Sequence, residues 1–178
     1  MSQIIFIVEG ETEKKLTNTL YLGKVTIANL WNLDPKKIDS ILRLIPRKET
    51  KVFIVCDTDC IDLIKRERFI KNFHSIKSHI GKDNIFLFQQ NLNLEDELLY
   101  CLNINNIKGL YSLFNNASGT GEFKRNFINE KNLSAKLVNN NFDSSKLWSS
   151  PLCPDLSRLQ EFYASPKDFS PMISRKIR

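Results

Sequence analysis

The sequence predicts an α/β protein, with about four mostly parallel strands flanked by helices over residues 1–106 and a helical, irregular extension over residues 107–178. Three observations predict it. Residues 4–8 (IIFIV) and 52–56 (VFIVC) are short, apolar and rich in β-branched side chains, as strands covered on both faces of a parallel sheet must be. Stretches with helical spacing, ended by Gly or Pro, separate these runs, and right-handed crossovers fold such an alternation into one sheet. From Ile107 onward the strand signal disappears.

In order, strand 4–8 is followed by Gly10 and a polar helix from about Thr12 to Gly23, with Thr12 as its expected cap and Glu13 favoured at the positive helix end. Residues 25–30 read as the second strand. Asp34-Pro35 opens a helix to about Leu44 that places Ile38, Ile41, Leu42 and Ile45 on one face, and Pro46 closes it. After strand 52–56 comes a longer helix with an apolar stripe at Phe69, Phe73, Ile76 and Ile80, ended by Gly81. Residues 85–88 form a fourth strand and 94–102 a helix. The extension holds helical patterns at 109–114, 122–128 and 134–138, then a proline-rich tail through Arg178 that is expected to be poorly regular and partly exposed.

At 178 residues and 42% hydrophobic composition, the chain can bury one real core. Its 26 Lys and Arg against 20 Asp and Glu give a net charge of +6. If Glu9, Glu13, Asp57, Asp59, Glu95 and Glu97 gather at one place, the remaining surface is far more basic, which suits an enzyme acting on a polyanion; a plain basic protein has the same charge. No membrane-length apolar run or signal-peptide pattern is present, so a cytoplasmic protein without a membrane partner is expected. Cys56, Cys60, Cys101 and Cys153 form no CxxC pair and read as structural thiols, while His74 and His79 make a poor metal pair.

Two acidic clusters carry the chemistry. Glu9 and Glu13 follow the first strand; Asp57 and Asp59 follow the third, at the carboxyl edge where open α/β sheets bind ligands. A lone E-x-x-x-E usually only complements a helix dipole, and one Asp often caps the next helix. Two acids directly after a buried strand exceed one cap. Converging carboxylates repel unless cations neutralise them, so the pattern asks for a divalent metal with oxygen ligands. On the helix after Asp59, Lys65, Arg66, Arg68, Lys71 and Lys77 lie mostly off the apolar stripe; Lys65, Arg68 and Lys71 are candidate phosphate-backbone contacts, although a solvated helix looks the same.

VEGETE followed by IVCDTD resembles the Toprim domain of topoisomerases, primases and several nucleases, over roughly residues 3–125. The added acid at Glu13 is more similar to the nuclease branch that includes the overcoming-lysogenization-defect (OLD) family and RloB-like proteins. That branch carries a later acid in an N-x-x-(apolar)-E-x-x-L pattern, which Asn91 to Leu98 resembles and which selects Glu95. The Pro and aromatic usual in RloB-like chains are missing here, so Glu97 stands as the alternative. A downstream lysine is matched by Lys124 in Ser118-Gly119-Thr120-Gly121-Glu122-Phe123-Lys124, where a glycine-rich turn lets backbone approach a phosphate; an exposed lysine without a role is the competing reading.

The resemblance implies a nuclease cleaving DNA or RNA with Mg²⁺ or Mn²⁺ held by Glu9, Glu13, Asp57, Asp59 and Glu95, with Glu9, Asp57 and Lys124 in catalysis. It also implies a separate ATPase or sensor partner, as in antiviral or abortive-infection systems, because no GxxxxGK[ST] phosphate loop lies in this chain. Residues 148–178, with Phe162 and Phe169 expected to be exposed, are the candidate docking surface, against the reading that this tail wraps its own core. A homodimer is compatible with the sequence. The runner-up is a catalytically weak Toprim-type binding module. A haloacid-type phosphatase also uses DxD after a strand, but normally the first strand, which EGETE follows here.

Overall fold

The computed structural model describes residues 3–47, 49–59 and 61–174. Cys60 and the basic end of the tail, residues 175–178, lie outside the described residues. Within them the chain is an α/β protein built on a four-stranded, all-parallel, Rossmann-like sheet.

Strands β1 (Gln3–Val8), β2 (Lys24–Ile27), β3 (Thr50–Cys56) and β4 (Ile85–Gln89) lie in the order β2-β1-β3-β4. Phe6 pairs with Phe53 and Phe53 with Phe86, while Ile54 pairs with Leu87. Successive side chains point to opposite faces, and both faces are buried. Phe6, Val8, Phe53, Val55 and Phe88 enter one core; Ile5, Ile7, Val52, Ile54 and Leu87 enter the other. Two covered faces are the physical reason the strands read as unbroken apolar runs.

Helix α1 (Glu11–Leu20) joins β1 to β2, and its N-cap is Gly10, with no side-chain cap. Thr12 therefore does not cap this helix, because it already stands inside the first turn. Glycine suits the place. A Cβ on Gly10 would meet Glu13 Oε2 at 2.9 Å, so the bare backbone leaves room for that carboxylate to fold back over the helix start. Strand β2 stops at Ile27, three residues earlier than the apolar pattern suggests, which frees Asn29 and Trp31 to turn toward the carboxyl edge. The helix expected over 34–44 is shorter, a 3₁₀ turn at Pro35–Lys37 followed by α2 (Asp39–Leu42). Helix α3 (Leu63–Ile80), capped by Asp62, buries Phe69, Phe73, Ile76 and Ile80 on one sheet face, as the stripe predicts.

The other face carries α4 (Leu94–Leu102), α5 (Ile107–Leu113), α6 (Thr120–Asn129) and α7 (Leu133–Asn139). Through residue 174 the remaining tail is not a loose, exposed end. The 3₁₀ stretch Pro154–Phe162 inserts Leu156, Leu159 and Phe162 into the α3 side of the core. Residue 164 then joins the open edge of β4 through Ala164 N–H to Leu87 O at 3.0 Å. Phe169, ahead of the short helix α8 (Ser170–Ile173), packs on Phe53, Phe86 and Phe88. Trp148 is fully buried and Phe162 is 5% exposed. The exposure expected of Phe162 and Phe169 is therefore corrected: both pack on this chain's own core, and the tail covers β4, which would otherwise present a bare edge.

Candidate functional site at the carboxyl edge

All four strands deliver a polar residue to one edge. Glu9 is the first residue past β1, Asp57 the first past β3, Gln90 the first past β4 and Asn29 the second past β2. Because β1 and β3 are neighbours, Glu9 and Asp57 meet. Glu9 Oε1 accepts from Trp31 Nε1 at 2.7 Å and from the Asp57 main-chain N–H at 2.9 Å, and Glu9 Oε2 accepts from Asn29 Nδ2 at 2.8 Å. Three donors fix that carboxylate while leaving lone pairs on Oε2. Gln90, fully buried, donates from Nε2 to Asp57 Oδ1, and its own Oε1 is buried without a hydrogen-bond partner.

Three clefts meet at Asp57. One of about 220 Å³ is lined by Glu9, Asn29, Trp31, Asp57, Asp59 and Lys65. A second of about 340 Å³ adds Glu13, Gly10 and Lys124 to Glu9 and Asp57. The third, about 360 Å³, brings Asp57 and Asp59 against Glu95, Tyr111, Thr120 and Lys124. The five acids and the lysine singled out in the sequence thus line one connected set of clefts.

Electrostatics mark this edge as under strain in charge. Burial, then the neighbouring Glu13 and Asp59 charges, raise the Glu9 carboxyl to about 7, against the Asp57 and Trp31 hydrogen bonds. Burial, then Glu9 and Glu13, raise Asp57 to about 8, with the Gln90 hydrogen bond acting the other way. Two carboxyls made harder to ionise by burial and by neighbouring acids are groups that a cation would return to the ionised form.

Glu95 and Glu97 separate cleanly. Glu95 faces the third cleft; its Oε1 is buried, lacks a hydrogen-bond partner and lies 3.4 Å from Lys124 Nζ. Glu97, two residues on, points inward with 0% exposure and accepts main-chain N–H groups of Asn91, at 2.7 Å, and Trp148. Burial raises its pKa, opposed by those two bonds. Lys124 stands in the first turns of α6, whose N-cap is Gly119; Ser118 turns its N–H and hydroxyl onto Glu122.

The cationic helix face is divided. Lys65 lines the smallest cleft, and Arg68 reaches the Asn32 carbonyl beside it at 3.4 Å. Lys71 lines a different groove with Glu67, His74 and Arg158, away from the acids. Arg66 pairs with Asp155 at 3.2 Å and Lys77 lies over the Phe162 ring, so both hold the Pro154–Phe162 stretch against α3. Asn29, Trp31 and Gln90 are absent from the sequence-level set. The available signal was polarity at strand ends: Gln89-Gln90 closes an otherwise apolar run, and Asn29 interrupts another.

Among the described residues, no three His, Cys, Asp or Glu side chains converge closely enough to form a ready cage for one ion. Paired carboxylates with room for water fit Mg²⁺ or Mn²⁺ better than a cage would, since Mg²⁺ is usually bound by one or two carboxylates and keeps several waters. Glu95 Oε1, held only by its ion pair with Lys124, is an atom such an ion would also engage. Comparison of the chain with protein-family models, with curated proteins and with solved structures returns no match. Fold and clefts alone therefore define the class: a parallel α/β protein with an acidic site at its carboxyl edge. No helix among the described residues is long and apolar enough to cross a membrane.

Proposed function

We propose that this chain is a metal-dependent nuclease of Toprim type, hydrolysing phosphodiester bonds in DNA or RNA. One observation carries the reading: Glu9, Glu13, Asp57, Asp59 and Glu95 line connected clefts with Lys124 among them, on a protein whose net charge is +6. Those five acids would hold Mg²⁺ or Mn²⁺, which when bound supplies Lewis acidity and charge neutralisation at a phosphate. The chain's own groups orient and neutralise. Glu9 is held by three donors, Gln90 aligns Asp57, and Lys124 sets an ammonium group beside the acids where it can pair with a phosphate oxygen. Lys65, with Arg68 behind it, extends positive charge from the smallest cleft along α3.

A nuclease with a basic surface threatens its own cell, so a cytoplasmic effector restrained by a separate ATPase or sensor, as in antiviral defence, follows from the same reading. The competing reading is a Toprim-type binding or regulatory module with weak catalysis. Incubating purified protein with Mg²⁺ or Mn²⁺ and single- and double-stranded DNA, transfer RNA and generic RNA decides between them. Cleavage by the wild type, lost in EDTA and in Asp57→Asn, is expected. Cation binding with no cleaved polymer would favour the module, and undiminished cleavage by Asp57→Asn would overturn the site.

A further inference from the structure

Among the described residues, Glu97 is the fully buried acid, and it does not face the clefts. Its two oxygens hold main-chain N–H groups far apart in sequence, Asn91 after β4 and Trp148 in the extension. One bond falls beside, and the other at, a backbone conformation that leucine and tryptophan rarely adopt. Leu92, the residue after Asn91, has φ +61°, and Trp148 itself has φ +52°. Such conformations persist where surrounding contacts over-determine them.

The consequence of holding Leu92 reaches the acids. With Asn91 fixed, the Leu92 carbonyl accepts the Thr58 N–H at 2.7 Å, and Thr58 is the residue between Asp57 and Asp59. The Thr58 hydroxyl adds a bond to the Gln90 carbonyl at 3.3 Å. The extension is clamped again nearby, where Gln89 donates to the Pro151 carbonyl at 3.0 Å and accepts from Cys153 N–H at 2.6 Å. A chain of hydrogen bonds thus runs from residue 148 through Glu97, Asn91 and Leu92 to Thr58.

We propose that Glu97 is a positioning residue, coupling the C-terminal extension to the loop that carries Asp57 and Asp59 and so setting the cation affinity of that edge. It rests on reading the edge as a cation site. A pin serving only the extension would need the Trp148 bond alone; the Asn91 bond gives the same carboxylate a hold on the loop that supports Thr58.

The test compares wild type, Glu97→Gln and Ile76→Val, the last a buried change on the opposite sheet face. Gln keeps the shape but turns an NH₂ group toward one of the two N–H donors, which loses its acceptor. Magnesium affinity, measured calorimetrically on folded protein, is expected to fall about tenfold or more in Glu97→Gln, as for groups that orient metal ligands. Ile76→Val is expected to lower the melting temperature and bind Mg²⁺ as wild type does. Amide hydrogen exchange on the wild type needs no variant: Thr58, Asn91 and Trp148 should open at a common rate, as one unit. Wild-type affinity in Glu97→Gln, or a Thr58 amide that exchanges independently of the other two, overturns the positioning role. Failure of the wild type to bind Mg²⁺ overturns the cation site instead, and the exchange rates then decide the coupling by themselves.

Discussion

Two regions of this protein bury carboxylates, and they do so in opposite ways. At the junction of α4 with residue 148, Glu97 is alone, fully enclosed and satisfied by two main-chain donors. At the carboxyl edge, Glu9 and Asp57 lie together, each made harder to ionise by burial and by the other acids. A buried acid with no acidic neighbour and two main-chain donors is a fastening. Buried acids that crowd one another, with Glu95 nearby paired to Lys124, are instead groups whose ionisation a bound cation would favour.

Breaking the edge should remove activity while sparing the fold. Asp57→Asn is expected to lower the cleavage rate at least about a thousandfold, with a metal-free melting temperature above pH 8 equal to or above wild type because the charge Asp57 carries there is gone. A rate assay beside a thermal melt checks both. The junction should respond the other way: Trp148→Ala empties a fully buried site and should cost about 3–5 kcal/mol in urea unfolding. A loss near zero would mean the extension contributes little to the core.

The pH dependence separates the regions further. The folded-state values of Glu9, about 7, and Asp57, about 8, lie above their ordinary 4.5 and 3.8. Between those limits the native chain holds protons that the unfolded chain has released, so stability falls as pH rises. In chelator, the contribution is fully present near pH 4 and is lost as pH passes 7 and then 8. The melting temperature should therefore drop across that window for wild type and drop less for Asp57→Asn. Added Mg²⁺ should flatten the curve, and an equal slope in both proteins would contradict the assignment. The smallest effect distinguishes two lysines. Lys65→Gln should reduce the salt slope of nucleic-acid binding by about one unit, whereas Lys71→Gln, in its separate groove, should change it less. Equal slopes would extend the contact surface along all of α3.

Much of this contrast was legible in the sequence because it follows from periodicity and strand ends. Residues 4–8 and 52–56 announced a sheet covered on both faces, and acids directly after them had to stand at its carboxyl edge. The opposite roles of Glu95 and Glu97 were not legible. Two residues apart on a helix they turn by roughly 200°; Glu97 shares the stripe of Leu94, Leu98 and Cys101, but the Asn91 and Trp148 N–H groups that satisfy it there come together only in the fold. The tail was misread for a related reason. Prolines and scattered aromatics resemble an exposed segment when the open edge of β4 and the uncovered face of Phe53 are out of view, and those surfaces are what Phe162, Ala164 and Phe169 cover. Asn29, Trp31 and Gln90 escaped notice because neutral side chains announce themselves as ligand-holding groups only after the acids they touch are in place.

The most direct test of the carboxyl edge is a calorimetric titration of Mn²⁺ into the metal-free protein at pH 8, wild type beside Asp57→Asn. Saturable binding by the wild type, at least tenfold weaker in the variant, is the predicted result. A wild-type chain that binds no Mn²⁺, or a variant that binds it equally well, would contradict the reading of Glu9, Glu13, Asp57, Asp59 and Glu95 as a cation-binding edge.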